Sequence, residues 1–300
     1  MSNLLQKNSL PGSKIAKEWF AWLLVAPVLI YILLVMVYPF LYGVAMSFSN
    51  KKIGQDANFN GLTNYIKLLS DATFRKSIGN TLTYTFLAVA FKTIIGIGMA
   101  LMLHSKIKMK NLSRGLLLIP WAVPTVMSVL TWKWMMADVG GVLTPMLRSI
   151  GLVSGRINWL ASPSMAMFSV IMVNVWKGSA FIGISVLAGL QTVSHDMYEA
   201  ATIDGAGPIS KFFHITIPSV RKVIMLAVLV STIWTFNDFE AIWLMTRGGP
   251  VNSTMLISVY SYVTGIRQQD LGTALAASVL FLPLMILLVN LVTGKAMKDD

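Results

Sequence analysis

Few ionisable side chains lie within the long apolar runs of this chain, and they are the first candidates for a polar site. They are Lys92, Lys133, Lys177, Asp238 and Glu240. Charged groups in apolar surroundings are costly, so they usually face a cavity or pair with one another. Carboxylate, ammonium and amide groups at such positions are suited to hydrogen bonding with a polar solute.

Two asparagines extend this polar set at helical spacing. Asn174 precedes Lys177 by three residues, and Asn237 precedes Glu240 by three, a spacing that places side chains on one helix face. Neighbouring tryptophans add flat apolar surfaces, and a polyhydroxylated sugar suits this mixture, because its hydroxyls bond to polar groups while its C–H faces lie on rings. The predicted solute-binding residues are Asn174, Trp176, Lys177, Trp234, Asn237, Asp238, Glu240 and Trp243.

Two other interpretations of the charged residues stay open. In one, Lys92 or Lys177 neutralises Asp238 or Glu240 in a structural ion pair. In the other, the two carboxylates perform acid–base catalysis inside the membrane. Other chemistry lacks its residues, since the sequence has no cysteine, no GxxxxGK[ST] phosphate loop, no HExxH and no GxSxG. We expect no catalytic residue, no metal site and no cofactor bound by this chain.

The elements that position these residues are apolar helices. Of 300 residues, 55% are hydrophobic and 12% are charged, about half the charged fraction of soluble domains. A helix needs about 20 mainly apolar residues to cross the hydrocarbon core. Six runs qualify, at about 20–47, 81–103, 115–136, 165–190, 223–245 and 271–293. We predict an all-α polytopic membrane protein with six transmembrane helices. It contacts lipid and binds no nucleic acid, since its basic residues form no stripe with interleaved aromatics.

The basic residues orient these spans. An even number of spans places both termini on one side, where twelve Lys and Arg residues lie, against nine on the other side. The tightest cluster, KIKMKNLSR at 106–114, lies in a short loop on the terminal side, as the positive-inside rule expects for the cytoplasm. We predict cytoplasmic segments at 1–19 and 294–300 around a transmembrane domain at 20–293, with the longest inward loop at 191–222.

The inward loop carries signals for two short helices. Ser194 can cap the first helix, which is predicted to stop at Gly205. Gly207-Pro208 supports a second start, with proline at the first helical position. Pro218 is expected to end that second helix. The result is a compact helix, turn and helix at the membrane surface.

The residue pattern of this loop resembles that of a known family. Glu199-Ala200-Ala201, three residues, Gly205, nine residues, Ile215, one residue and Ile217-Pro218 is similar to the EAA loop of inner-membrane permease subunits of binding-protein-dependent ABC importers. FNDFEAIWLMTRGGP at 236–250 and INWLASPSMAM at 157–167 resemble the maltose-type carbohydrate branch. The resemblance covers roughly residues 20–293. We name residues 191–222 the EAA loop.

The resemblance implies a type I ABC importer permease fold and defined partners. In the family, two permease subunits, each with its own EAA loop, sit on an ABC ATPase dimer that binds ATP and Mg, and an extracytoplasmic solute-binding protein delivers the sugar. The implied location is a bacterial or archaeal cytoplasmic membrane. The implied ATPase contacts are Glu199, Ala200, Ala201, Asp204, Gly205, Ala206, Ile215 and Pro218. The alternative is an ion-coupled secondary transporter built on Asp238 and Glu240, which leaves the EAA loop unexplained.

Overall fold

The computed structural model describes residues 11–105 and 110–298. Across these ranges the chain forms helices and no β-strand, with isolated bridges joining Ser49 to Phe59 and Lys52 to Asp270. The helices are α1 (Pro11–Ile32), α2 (Tyr38–Ser47), α3 (Thr63–Ser70), α4 (Ala72–His104), α5 (Lys110–Ala122), α6 (Thr125–Met135), α7 (Leu143–Ser149), α8 (Pro163–Leu190), α9 (His195–Ile203), α10 (Pro208–Lys211), α11 (Ile217–Phe236), α12 (Glu240–Met245), α13 (Ile257–Tyr262), α14 (Leu271–Val279) and α15 (Leu282–Lys298). Single π-helical turns occupy Leu33–Val37, Phe212–Thr216 and Val263–Arg267.

The predicted membrane-spanning regions are all present as helices. Five helices are long and apolar enough to cross a membrane, and a bent pair makes a sixth region. The five are Trp19–Ser47, Ala72–His104, Pro163–Leu190, Pro208–Phe236 and Leu271–Lys295. The second begins nine residues before the predicted 81, because Asp71 caps a polar first turn by accepting a hydrogen bond from the Thr73 amide at 2.7 Å. The all-α prediction with six spans is confirmed.

The third region is bent rather than straight. Leu112–Ala122 and Thr125–Met135 meet at 88°. Pro124 is the cause, because it disfavours helical geometry at the residue before it and has no N–H to donate. Pro120 lies inside α5 without ending it. The third region therefore bends at Pro124 and not at Pro120.

The fifth span differs from the prediction at both ends. The break expected at Pro218 is wrong, since helix continues from Pro208 to Phe236. The π-helical turn at Phe212–Thr216 precedes the proline, and the Ile217 amide bonds five residues back to the Phe212 carbonyl, so the ring is accommodated in a widened turn. The predicted end at 245 is also wrong, because the chain leaves the helix at Asn237 and restarts at Glu240.

The centre of the fold is the packing of α4 and α8, with α11 against both. A Cβ added to Gly96 would lie 2.8 Å from the Ile182 Cβ and 3.0 Å from the Gly183 backbone nitrogen. Glycine at this crossing therefore lets the two helix backbones approach closely, as small residues do in membranes. These three helices frame the polar site described next.

Candidate functional site

A cavity of about 250 Å³ lies where α4, α5, α6, α8, α11 and α12 meet; we name it the central cavity. Five of the predicted solute-binding residues line it: Asn174, Lys177, Trp234, Asp238 and Glu240. Sequence reasoning did not place Lys92, Trp121, Thr125, Ser231 and Thr235 with them, although they also line it. Lys92 stood out as a charge in an apolar run, but only the packing of α4 brings it to this cavity.

The other predicted solute-binding residues lie elsewhere. Trp176 packs edge-on against Trp132, with ring centroids 5.5 Å apart. Trp243 stacks on Phe239 at 5.8 Å. The Asn237 amide donates to the Ile233 carbonyl at 2.9 Å.

The predicted face shared by Asn237 and Glu240 does not form. The face assumed one continuous helix, and α11 ends at Phe236 before α12 begins at Glu240. Glu240 nevertheless reaches the central cavity, through the turn of chain at 237–239, and its side chain is exposed there.

Asp238 is the most heavily hydrogen-bonded side chain at the cavity wall. Its Oδ2 accepts from the Tyr84 hydroxyl at 2.6 Å and from the Asn174 amide at 2.9 Å. Its Oδ1 accepts from the Ala241 backbone N–H at 3.2 Å. The Ser258 hydroxyl donates to the backbone carbonyl oxygen of Asp238 at 3.0 Å. The break between α11 and α12 is thereby tied to α4, α8 and α13.

The two lysines of the cavity donate to uncharged oxygens. Lys92 Nζ donates to the Thr235 hydroxyl at 2.6 Å, and Lys177 Nζ to the Val123 carbonyl at 2.7 Å. Across the described ranges, neither lysine lies within 4.0 Å of Asp238 or Glu240. The charges therefore balance around the cavity without closing into contact ion pairs.

Trp234, one of the two tryptophans that line the cavity, offers a ring face. Trp234 is 54% exposed, and its ring packs on Phe181 with centroids 4.9 Å apart. One aromatic surface beside carboxylate, amide and ammonium groups matches the mixture expected for a sugar site. A larger groove on the helix exterior, of about 640 Å³ between α4, α11 and α15, is lined almost wholly by apolar side chains and supplies no comparable chemistry.

The EAA loop folds into the predicted helix, turn and helix. The Ser194 hydroxyl accepts from the Asp196 amide at 3.2 Å and starts α9. At its other end the Ala206 amide donates to the Ala201 carbonyl at 2.8 Å and the Gly205 amide to the Thr202 carbonyl at 3.1 Å. This pair of bonds is a Schellman motif, with Gly205 at φ +78°. The second helix starts at Pro208, as predicted.

Side-chain contacts hold the two helices of the EAA loop together. Lys211 Nζ donates to the Thr202 hydroxyl at 2.7 Å, and the hydroxyls of Tyr198 and Thr216 are 3.1 Å apart. Of the predicted ATPase contacts, Glu199, Ala200, Asp204, Gly205 and Pro218 are exposed, while Ala201, Ala206 and Ile215 are half-buried. The loop is therefore a preformed projection with an accessible outer surface.

Glu199 has a partner within its own helix. The Glu199 carboxylate and His195 Nδ1 are 3.0 Å apart across one turn of α9. Both side chains are largely exposed, so the contact contributes little to stability. It does fix the direction of the carboxylate on the surface of the loop.

A family model described as the binding-protein-dependent transport system inner membrane component matches residues 92–294. The chain belongs to this family. The matched range contains the EAA loop and every side chain placed at the central cavity above. The trehalose/maltose transport system permease protein MalF of Thermococcus litoralis is 35% identical to this permease over 242 residues, covering 80% of this chain and 81% of MalF.

Another relative and one solved structure agree over most of the length. The sulfoquinovosyl glycerol transport system permease protein SmoG of Agrobacterium fabrum is 35% identical over 266 residues, covering 88% of this permease and 86% of SmoG. A bacterial ABC transporter involved in the import of the acidic polysaccharide alginate contains a chain with a TM-score of 0.80 and 24% identity, covering 95% of this permease and 98% of that chain. The latter likeness establishes the type I importer fold. This permease is accordingly a multi-pass protein of the inner membrane.

Proposed function

We propose that this permease imports a carbohydrate through the central cavity, driven by ATP hydrolysis in a separate ATPase docked on the EAA loop. The observation that carries the proposal is the combination of a preformed, exposed EAA loop with a polar cavity at the far end of the helix that begins in that loop. Two permeases named for sugar or sugar-derivative transport, MalF and SmoG, support the class of solute.

The solute site is Asn174, Lys177, Trp234 and Glu240, with Asp238 behind them. Glu240 supplies an exposed acceptor for sugar hydroxyls, Lys177 supplies N–H groups beyond the one given to Val123, and the Trp234 ring supplies a surface for C–H groups. Trp176, Asn237 and Trp243 are left out of the solute site because their contacts lie elsewhere.

The partners follow from family membership and from the exposed surfaces. The EAA loop docks on an ABC ATPase dimer, which holds ATP and Mg, through Glu199, Ala200, Ala201, Asp204, Gly205, Ala206, Ile215 and Pro218. A second permease with its own EAA loop completes the membrane part, and a solute-binding protein delivers the sugar from outside. The most apolar part of the Trp19–Ser47 span contains no residue that is buried within this chain. Its surface is therefore left for lipid and for that second permease. Both termini are cytoplasmic in this arrangement.

The test of coupling is ATP hydrolysis by the purified assembly in lipid, with its solute-binding protein and either maltose or trehalose. Glu199→Arg and Gly205→Asp should reduce ATPase association or uncouple hydrolysis from solute, whereas Gly207→Ser on the same loop should not. Uptake that follows an ion gradient without ATP would instead favour the secondary transporter.

The test of the cavity uses the same assembly. Glu240→Ala should raise the KM for solute by about 10- to 100-fold, because a hydrogen bond to a charged group contributes about 1.5–3 kcal/mol. Asn174→Ala should raise it by a smaller factor. Asn237→Ala is the matched control, since its side-chain amide bonds back to the Ile233 carbonyl of α11. If Glu240→Ala and Asn174→Ala leave kinetics and solute specificity as they are in Asn237→Ala, the cavity is not the solute site.

A further inference from the structure

We propose that Asp238 is a positioning residue that holds the Asn174 amide with its carbonyl oxygen on the cavity side, so that the cavity selects a solute hydroxyl as donor at this point. The proposal rests on the central cavity being the solute site. It assigns Asp238 a role different from direct solute binding, although Asp238 lines the same wall.

The carboxylate of Asp238 is occupied by the protein. Tyr84 and Asn174 both donate to Oδ2, and the Ala241 backbone N–H donates to Oδ1. The Tyr84 side chain is 0% exposed, so its hydroxyl has no competing water. A solute hydroxyl at Asp238 would have to displace one of these donors.

The same carboxylate dictates how the Asn174 amide is turned. An ionised carboxylate only accepts hydrogen bonds, whereas an amide has a donor end and an acceptor end. The N–H end of Asn174 must therefore face Asp238, and it does so at 2.9 Å. The opposite end, Oδ1, is buried without a donor among the described residues, in a side chain that lines the central cavity.

An acceptor without a donor at the cavity wall gives the site a preference. A buried acceptor without a partner is costly, and a donor that reaches it removes that cost. A sugar hydroxyl can donate, whereas a fluorine atom in its place cannot. The buried Asn174 oxygen thus adds an acceptor beside the exposed Glu240 carboxylate at this part of the wall.

Two substitutions separate positioning from simple structural support. Asp238→Asn puts an amide opposite the donors of Tyr84, Asn174 and Ala241, so one donor faces another donor whichever way the new amide turns. If its N–H end faces Asn174, rotation of Asn174 relieves the conflict; if its N–H end faces Ala241, the bond to Asn174 remains but loses its charge assistance. Tyr84→Phe removes a hydrogen bond from the same carboxylate oxygen but leaves Asn174 facing Asp238. Tyr84→Phe is therefore the matched control for loss of one bond in this network.

The orientation of Asn174 can be measured without any solute. In the full permease–ATPase assembly in lipid, labelled with ¹⁵N-asparagine, proton-detected solid-state NMR reports the Nδ2 protons, and the signal lost in Asn174→Asp is that of Asn174. We expect a proton shifted downfield by its charge-assisted bond, a return upfield in Asp238→Asn, and no change in Tyr84→Phe. A signal that Asp238→Asn leaves in place overturns the proposal, whatever solute the permease carries.

Kinetics then connect orientation to selection. For whichever of maltose and trehalose stimulates ATP hydrolysis, Asp238→Asn should raise KM by about three- to tenfold, the worth of one neutral hydrogen bond, and Tyr84→Phe should not. The exchanged pair Asp238→Asn with Asn174→Asp restores an acceptor to the cavity and should recover the KM. An equal rise in KM for Tyr84→Phe and Asp238→Asn shows a structural role only and overturns the positioning role. Stimulation by neither sugar, with the NMR result as expected, counts against the proposed solutes and leaves the orientation of Asn174 established.

Discussion

Replacing Gly205 by alanine should weaken the docking of the ATPase on the EAA loop. Gly205 ends α9 with a φ of +78°, a left-handed conformation that L-residues adopt at a cost of about 1–2 kcal/mol. A Cβ at Gly205 would meet nothing within 4 Å, so the substitution adds no steric clash. The whole effect therefore lies in the backbone, at the turn that sets the angle between α9 and the helix that begins at Pro208.

The cost translates directly into an affinity. If docking requires the turn in its present shape, 1–2 kcal/mol lowers the competent fraction by a factor of up to about 5–30, and the Kd between the permease in lipid nanodiscs and the ATPase should rise by up to that factor. Asparagine tolerates the left-handed region, so Gly205→Asn should retain most of the affinity. Gly207→Ser is a second control, because Gly207 has an extended backbone, φ −72° and ψ 171°, at the N-cap of α10.

One pattern of results refutes this reasoning. If Gly205→Ala, Gly205→Asn and Gly207→Ser all bind the ATPase as the wild type does, the Schellman turn is not part of the docking geometry. If Gly205→Ala and Gly205→Asn bind the ATPase with equally low affinity, docking requires the absence of a side chain at position 205 rather than the left-handed backbone. Binding measured by surface-immobilised nanodiscs distinguishes these results, since it does not depend on solute or on hydrolysis.

Two further predictions concern the scaffold. Gly96→Ala should destabilise the permease in lipid by about 1–3 kcal/mol, the usual cost of overpacking, because its Cβ would lie 2.8 Å from Ile182. Gly98→Ala on the same helix meets nothing within 4 Å, so equal thermal unfolding midpoints for the two variants would contradict the close helix crossing. Burial raises the pKa of Asp270, but hydrogen bonds from Lys67 and Thr273 outweigh it and hold that pKa below its usual value. The contribution of Asp270 to stability is therefore present above about pH 4 and is lost as the pH falls further. The difference in unfolding midpoint between wild type and Asp270→Asn should accordingly be present at about pH 6 and close below about pH 4, and a difference independent of pH would show that the carboxylate charge is not involved.

The EAA loop was predictable from sequence because its signals are local. A serine cap, a glycine stop and a glycine-proline start each act through one or two backbone bonds, and the structure has them at Ser194, Gly205 and Pro208. The helix end predicted at Pro218 was wrong, although proline is also a local signal. A proline normally ends a helix, but here a π-helical turn widens the chain just ahead of it, and no residue type in that segment announces a π turn.

The central cavity was only partly predictable, because it depends on contacts between distant segments. Intramembrane charge identified Lys177, Asp238 and Glu240, and spacing added Asn174. Helical periodicity then failed at Asn237, since the helix ends at Phe236. Tyr84 could not be found from its surroundings in sequence, because its hydroxyl meets Asp238 across 154 positions of chain.

The continuous helix from Pro208 to Phe236 joins the two functional parts of this permease. It has 29 residues, which at 1.5 Å each makes it about 43 Å long. Its first part, residues 208–222, belongs to the EAA loop, and near its other end Ser231, Trp234 and Thr235 line the central cavity. A displacement of the docked loop therefore reaches the cavity along one rod, without an intervening hinge of flexible chain. The helix ends at Phe236, and in the turn that follows, the bonds of Asp238 to Tyr84 and Asn174 attach this end to α4 and α8. In the proposed mechanism, movement driven from the EAA loop acts on the same hydrogen bond that orients Asn174, which would link ATPase movement to the acceptor presented to solute.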